Sequence, residues 1–224
     1  MSKQEPGRPP GAAWRWGRTA QTQRALLDAA RDVFTEQGFS QASIAEVVER
    51  AGSSVGSLYH HFGGKSELFL ALWHEHQLTH EQAASRAVAD ARQRGVTDTG
   101  ELFCAGARAF LEGSWLRRDL ALLFLSGDGP PGFEVMKRRR SSEWLAQNDA
   151  LLGLSDSGLD RLYAAVLTSL IGEGGREVAA AKNRREATKI IDAVVAYAGR
   201  LMAGGPWKPG RVPAVASRRS PAGT

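Results

Sequence analysis

The sequence predicts an all-α protein: an N-terminal three-helix helix-turn-helix domain followed by a longer helical domain, about nine helices in all. Three observations carry this. Apolar residues recur with the period of an α-helix throughout residues 19–204. No stretch shows the sustained alternation and β-branched enrichment of a strand. The interruptions are glycine, proline and Ser/Thr/Asp clusters, the residues that stop one helix and start the next. With 42% hydrophobic and 24% charged residues in a 224-residue chain, there is apolar surface enough for a core, which excludes wholesale disorder.

The first helix places Leu26, Leu27, Ala30, Val33 and Phe34 on one face and stops at Gly38, read as a left-handed C-cap, with Phe39 packing back on the last turn. Ser43-Ile44-Ala45-Glu46 reads as a capping box, in which hydroxyl and carboxylate each satisfy a free backbone N–H. It opens a short helix whose stripe is Ile44, Val47, Val48 and Ala51 and which Gly52 ends. A third short helix is expected near residues 54–62. On a helical wheel Val55, Leu58, Tyr59 and Phe62 share one arc, while Ser53, Ser54, Ser57, His60 and His61 lie opposite. A helix this short needs its apolar arc docked on neighbours, so its polar arc faces outward. After Gly63-Gly64 a longer helix runs from Lys65 to about Arg94, with Leu68, Phe69, Leu72 and Trp73 inward. Further helices are expected near 98–115, 117–126, 133–152, 157–181 and 184–203. The stripes of the last two are wide enough to face both their own subunit and a partner.

Charge is unevenly placed. Residues 1–18 carry a local +3 and residues 205–224 a local +4, leaving the body at −2 of the total +5. Both ends are rich in Pro, Gly, Ala and Ser and are expected to be disordered: a basic arm before residue 19 and a basic tail after residue 204. The arm is expected to touch an anionic polymer; the tail is expected to be solubilising only. A single cysteine, Cys104, no apolar signal core near the N-terminus and no long apolar run lead to the expectation of a cytoplasmic protein without a membrane span.

Residues 22–62 have the layout of a helix-turn-helix: a supporting helix, then two short helices joined by a tight glycine-containing turn, the second presenting hydroxyl and imidazole groups. Such a helix fits the major groove, although the same unit also occurs as plain packing. The stretch Ser43-Ile-Ala-Glu-Val-Val-Glu-Arg-Ala-Gly-Ser-Ser-Val-Gly-Ser-Leu-Tyr-His-His-Phe-Gly-Gly-Lys65, with Leu26-Leu-Asp-Ala-Ala-Arg-Asp-Val-Phe-Thr-Glu-Gln-Gly-Phe39 upstream, resembles the DNA-binding domain of the TetR family of bacterial transcriptional regulators. The resemblance covers roughly residues 19–73. It implies a DNA-binding domain over 19–64, an effector-binding and dimerisation domain over 65–204, and a homodimer on the last two helices. It also implies a palindromic operator released when a small molecule binds.

Carried over by position, Ser43 and Tyr59 contact phosphates, Lys65 meets the DNA backbone at a helix start, and Ser54, Ser57 and His60 lie over the groove. Ser43 is equally a helix cap, Tyr59 equally a core residue, and Val55 either a contact to a thymine methyl or packing. The chain departs from the family pattern at Ser53 and Val55. Residues 19–76 hold Arg24, Arg31, Arg50 and Lys65 against seven acids, so phosphate attraction is assigned to Arg15 and Arg18, with help from Lys3 and Arg8. Arg24, Ser53 and Val55 complete the DNA-contact set.

The second domain exceeds what a DNA reader needs. Phe103, Phe110, Trp115, Phe124, Trp144 and Tyr163 offer surface for a largely apolar effector. Leu159, Tyr163, Val166, Leu170, Ile190, Val194, Ala198 and Leu201 are the expected dimer face. Glu112, Asp119 and Glu173 are the carboxylates available to a pocket. Gly64-Lys65-Ser66 lacks the preceding strand and first glycine of a phosphate loop, and the glycines of residues 127–132 flank prolines that cannot donate to a pyrophosphate. His74, Glu75, His76 and His80 lack a zinc-protease glutamate spacing and read as a solvated helix face, as does Lys137-Arg138-Arg139-Arg140. No cofactor, metal or catalytic residue is expected. A ligand-released DNA-binding repressor is the reading; the alternative is an α-helical enzyme or small-molecule-binding protein whose helix-turn-helix is only structural.

Overall fold

The computed structural model describes residues 10–204 apart from Asp156, with side chains from Thr19 onward. Residues 1–9, the side chains of Arg15 and Arg18, and the whole C-terminal tail lie outside the described residues. The helices are α1 (Pro10–Gln41), α2 (Ile44–Arg50), α3 (Val55–Phe62), α4 (Lys65–Gln93), α5 (Thr99–Leu116), α6 (Arg118–Leu125), α7 (Phe133–Leu152), α8 (Gly158–Ala180) and α9 (Arg184–Gly204). Helix α1 reaches back to Pro10, so the second half of the segment expected as an arm is helical backbone. Its run of Ala, Trp and Arg behind an N-terminal proline suits a helix start.

Caps set the element boundaries. Ser54, Asp98 and Ser157 each accept a hydrogen bond from a first-turn amide of α3, α5 and α8. Ser43 does the same for α2, accepting from Ala45 N at 3.2 Å. The other half of the expected capping box is not made: the Glu46 carboxylate accepts instead from Gln37 Nε2 at 2.7 Å and Arg50 at 2.6 Å. Charge-assisted bonds outcompete a bond to an amide. Gly38 bends α1 with φ 79° and ψ 170°, not the expected left-handed-helical cap. That conformation is essentially glycine's alone, and a Cβ there would meet the Asp128 carboxylate at 2.5 Å.

Two cores result. The first joins α1, α2, α3 and the start of α4 to α6 and Phe133 of α7, with Leu26, Phe34, Leu58, Leu68, Phe69 and Leu120 wholly buried. Its centre is aromatic: Phe69 packs edge-on to Phe34, Phe39, Phe124 and Phe133 at centroid distances of 5.1–5.5 Å. Burying Leu58, the one fully buried side chain of α3, holds that helix in place with about 1.5–3 kcal/mol. The second core packs α5, α8 and α9 around Leu111, Leu167, Val178 and Ile191. Helix α4 runs from the first core into the second domain, and α4 against α5 is the most extensive helix pair.

Polar contacts tie the two domains together. Arg31 of α1 makes a two-pronged pair with Asp119 of α6 at 2.6 and 2.9 Å. Glu75 of α4 accepts from Arg24 of α1 at 2.9 Å and from Arg117 at 3.3 Å. Asp128, in the α6–α7 loop, accepts from the Ser40 amide at 3.0 Å and from its hydroxyl at 2.5 Å. Among the described residues no helix is long and apolar enough to cross a membrane.

Candidate nucleic-acid interface and effector cavity

Helix α3 is held by buried Leu58 and half-buried Phe62 and shows most of its other residues to solvent. Ser54, Val55, Gly56, Tyr59 and His60 are exposed, and Ser53, Ser57 and His61 are partly exposed. The arrangement corrects the helical wheel. Val55 and Tyr59 share an arc with Leu58 and Phe62, yet they are 46% and 53% exposed. Helices α2 and α4 give this helix its main backing, which leaves those two positions largely uncovered. An apolar Val55 and a phenol therefore stand beside the hydroxyls and imidazoles, a mixed surface able to touch a thymine methyl, base edges and phosphate. The Tyr59 ring lies against Gly64, 3.7 Å from where a Cβ would stand, at the start of α4.

The cations of this domain are largely spoken for. Arg50 binds Glu36 and Glu46, which raises the guanidinium and holds Glu36 below its usual range, while Gln37 first and then Arg50 lower Glu46. Arg24 binds Asp28 and Glu75. Lys65 donates to the Ser40 carbonyl at 3.1 Å and sits 4.7 Å from the Phe39 ring centre. Ser43, exposed, keeps its hydroxyl at the α2 cap. Internal pairing of the charge in a net-acidic domain gives the basic segment ahead of residue 19 its importance for any polyanion.

The second site is a cavity of about 990 Å³ between α4, α5, α6, α7 and α8. Four of the expected lining residues reach it: Phe103, Phe110, Phe124 and Trp144. Trp115 and Tyr163 do not. Trp115 packs on the second core and beneath the Arg118 guanidinium, and the Tyr163 hydroxyl donates to the Leu201 carbonyl at 3.4 Å. Of the three carboxylates considered, Glu173 lines the cavity, while Glu112 pairs with Arg184 and Asp119 with Arg31.

The sequence reading missed Trp73, His76, His80, Glu81, Asn148 and Thr168, all in the wall. His76 and His80 overturn the expectation of a solvated face: they are 5% and 3% exposed. Leu68, Leu72, His76 and His80 follow one another every fourth residue, so the imidazoles continue the buried stripe of α4; that spacing was the available signal. Their rings meet edge-on with centroids 4.5 Å apart, and His76 packs against Phe124 and His80 against Phe110. Burial, reinforced for His76 by His80 and for both by Arg117, pushes His76 down to about 2 and His80 to about 4, so both are neutral at pH 7. Neither Nδ1 has a hydrogen-bond partner. His74 is exposed, and no group of three or more His, Cys, Asp or Glu able to hold a metal occurs among the described residues. The basic run is likewise only half solvated: Lys137 donates to the Phe124 carbonyl and Arg140 to Glu81 and Glu143, while Arg138 and Arg139 are exposed.

On α8 and α9 the exposed apolar residues are Leu159, Leu162, Val166, Tyr197 and Leu201, with Tyr163, Leu170 and Ile190 partly exposed beside them. Val194 and Ala198 are corrected: at 7% and 0% exposure they face their own chain, on the stripe they share with Ala187 and Ile191. Leu162 and Tyr197 were not foreseen on the outer face.

Residues 26–72 match the family model described as bacterial regulatory proteins, tetR family. The chain is 38% identical over 92 residues to the HTH-type transcriptional activator FasR of Mycolicibacterium smegmatis, covering 39% of this chain and 42% of that protein. It is 32% identical over 111 residues to the A-factor receptor protein of Streptomyces griseus, covering 44% and 38%. The matches thus span about two fifths of the length of these curated relatives. A TetR-like transcriptional regulator from Rhodococcus sp. RHA1 superposes with a TM-score of 0.61 at 23% identity, over 82% of this chain and 96% of that one, which extends the likeness of fold through the C-terminal domain. Over residues 26–72 the chain is thus similar to the N-terminal domain of the tetR family of bacterial regulatory proteins, and the likeness beyond them is one of fold.

Proposed function

We propose that this protein is a cytoplasmic, ligand-responsive transcriptional regulator that binds a palindromic operator as a homodimer and leaves it when a small, largely apolar molecule occupies the C-terminal cavity. One observation carries the reading: helix α4 begins beside the exposed recognition surface of α3 and, some 11–15 residues on, supplies His76 and His80 to the wall of a cavity of about 990 Å³. Occupancy of one site then moves an element of the other. Ser53, Ser54, Val55, Ser57 and His60 read the groove, Ser43, Tyr59, Lys65 and Arg24 meet phosphates, and Leu159, Leu162, Val166, Tyr197 and Leu201 pair with a second copy. Repression fits a protein that holds DNA when empty, and a relative named as a repressor, AcnR of Corynebacterium glutamicum, is 41% identical over 54 residues.

Selection of DNA from a random pool by the purified full-length protein, at near-physiological salt, tests this. An enriched palindrome with half-sites about one helical turn apart is expected. Binding without enrichment, or no binding by folded protein, overturns it. With Arg15 and Arg18 among about four phosphate contacts per subunit, log K falls against log salt with a slope of about −7. A slope unchanged on deleting residues 1–17 removes Arg15 and the segment around it from the interface.

A further inference from the structure

The cavity wall is specific about charge. Each carboxylate in it is already paired with a cation that also lines it: Glu81 with Arg140 at 2.6 Å, Glu134 with Lys137 at 2.5 Å, and Glu173 with Arg176 at 3.4 Å. Glu81 further accepts from Gln147 Nε2 at 3.1 Å, and Arg140 donates a second time to Glu143 at 3.0 Å. A charged guest would have to break one of these pairs or, if a carboxylate, leave the interior for a cation outside them. The cations without such a pair, Arg92 and Arg138, stand at exposed positions. Deeper in, the wall is aromatic, and the Nδ1 atoms of the two imidazoles, whose residues are each over nine-tenths buried, lack hydrogen-bond partners, as does Arg140 Nε, while His80 also meets the Phe110 backbone. A neutral imidazole holds one donor and one acceptor. A half-turn of either ring about its Cβ–Cγ bond exchanges the edge carrying Nδ1 with the carbon edge, within the same space, so a guest can supply the missing partner.

We infer that the cavity selects an uncharged, flat, largely aromatic molecule carrying one hydroxyl or carbonyl group, which His76 and His80 hydrogen-bond, in preference to a carboxylate or an amine of the same shape. The inference rests on the reading of this domain as the effector-binding one and names the class of effector. Trp73, Phe110, Phe124 and Trp144 give faces and edges for stacking. The imidazole pair rewards a neutral head group, because an unmatched buried polar atom costs free energy that such a partner recovers.

The test uses full-length protein and four probes of one shape: pyrene, 1-pyrenemethanol, 1-pyrenecarboxylate and 1-pyrenemethylammonium, titrated by fluorescence and calorimetry at neutral pH. The alcohol is expected to bind about tenfold or more tighter than either charged probe. The His80→Phe variant, which keeps the ring and removes both nitrogens, is expected to lose about five- to tenfold toward the alcohol and to hold pyrene about as before. Tightest binding by the carboxylate or the ammonium overturns the inference, as does failure of all four probes to bind folded protein. Equal loss of pyrene and alcohol in the variant reduces the imidazoles to wall. The head-group series on unmodified protein decides the matter even where the variant does not fold. A protein that prefers the alcohol but selects no palindrome from the random pool sinks the regulator reading and leaves this one standing. One that selects a palindrome but prefers a charged probe does the reverse.

Discussion

The first turns and the middle of helix α4 sit in opposite kinds of interior. At its N-terminal end Leu68 and Phe69 are wholly buried in a core of five phenylalanine rings, with Phe69 edge-on to the other four. Two turns on, His76 and His80 are buried too, but against a void, with unmatched nitrogens and with Trp144 only half-buried opposite. The first arrangement fixes a geometry; the second leaves room for a guest to complete it. A DNA-reading surface needs the first, because base contacts tolerate little misplacement, and a sensing domain needs the second, because a filled interior has nothing to report. One helix shares both, with Arg31–Asp119 and Ser40–Asp128 as the polar seams between them.

Truncating an aromatic ring on each side separates the two interiors most sharply. Phe69→Ala removes the hub of the closed core and is expected to cost about 3–5 kcal/mol in denaturant unfolding. Phe110→Ala enlarges a space that is already open and is expected to cost less than half as much, since fewer contacts are lost. Equal losses would mean that the cavity wall is packed as tightly as the core.

Acid separates them next. A histidine whose folded pKa lies below its unfolded value makes the unfolded state bind more protons, so stability falls as pH drops below the unfolded value. For His80 the window runs from 6.5 down to about 4, and for His76 on to about 2. His80 alone accounts for up to about 3 kcal/mol across its window. His80→Phe should therefore flatten the stability profile between those pH values when urea unfolding is followed at each. A profile as steep as the wild type's would place the loss elsewhere.

How far the sequence reveals each region follows from the same contrast. Helix ends in both domains were legible, because Ser54, Asp98 and Ser157 cap through contacts three residues away and Gly63 and Gly153 stop helices by their own backbone. Burial was legible where a helix is backed along its whole apolar face, as in α1. It failed for Tyr59 and Val55, because periodicity tells that residues share a side and not whether a neighbour reaches them. It failed for His76 and His80 through residue type: imidazole reads as polar, yet the neutral ring packs like an aromatic one. On α9 a wide stripe could not say which half, Ile191 with Val194 or Tyr197 with Leu201, meets its own chain. A cavity is a property of side chains that fail to fill a space, and no local pattern encodes it.

The smallest expected effect lies at the seam. The Asp128 carboxylate is held below its ordinary range chiefly by the Ser40 hydroxyl and then by its amide, and it pins the bend at Gly38 that leads into α2. The site is partly exposed, so Asp128→Ala is expected to cost only about 1 kcal/mol of stability at neutral pH. Because a lowered carboxyl stabilises above its unfolded value, near 3.8, and loses that contribution as pH falls through the folded one, wild type and variant should converge in acid. The informative quantity is a ratio. If the loop carries cavity occupancy to the DNA surface, the variant keeps most of its affinity for the selected DNA but loses part of the affinity drop that a bound probe produces, since a coupling free energy needs an element that both sites bias. An unaltered drop would leave α4 and the Arg31–Asp119 pair as the path, and titrating DNA with and without 1-pyrenemethanol on both proteins separates the two.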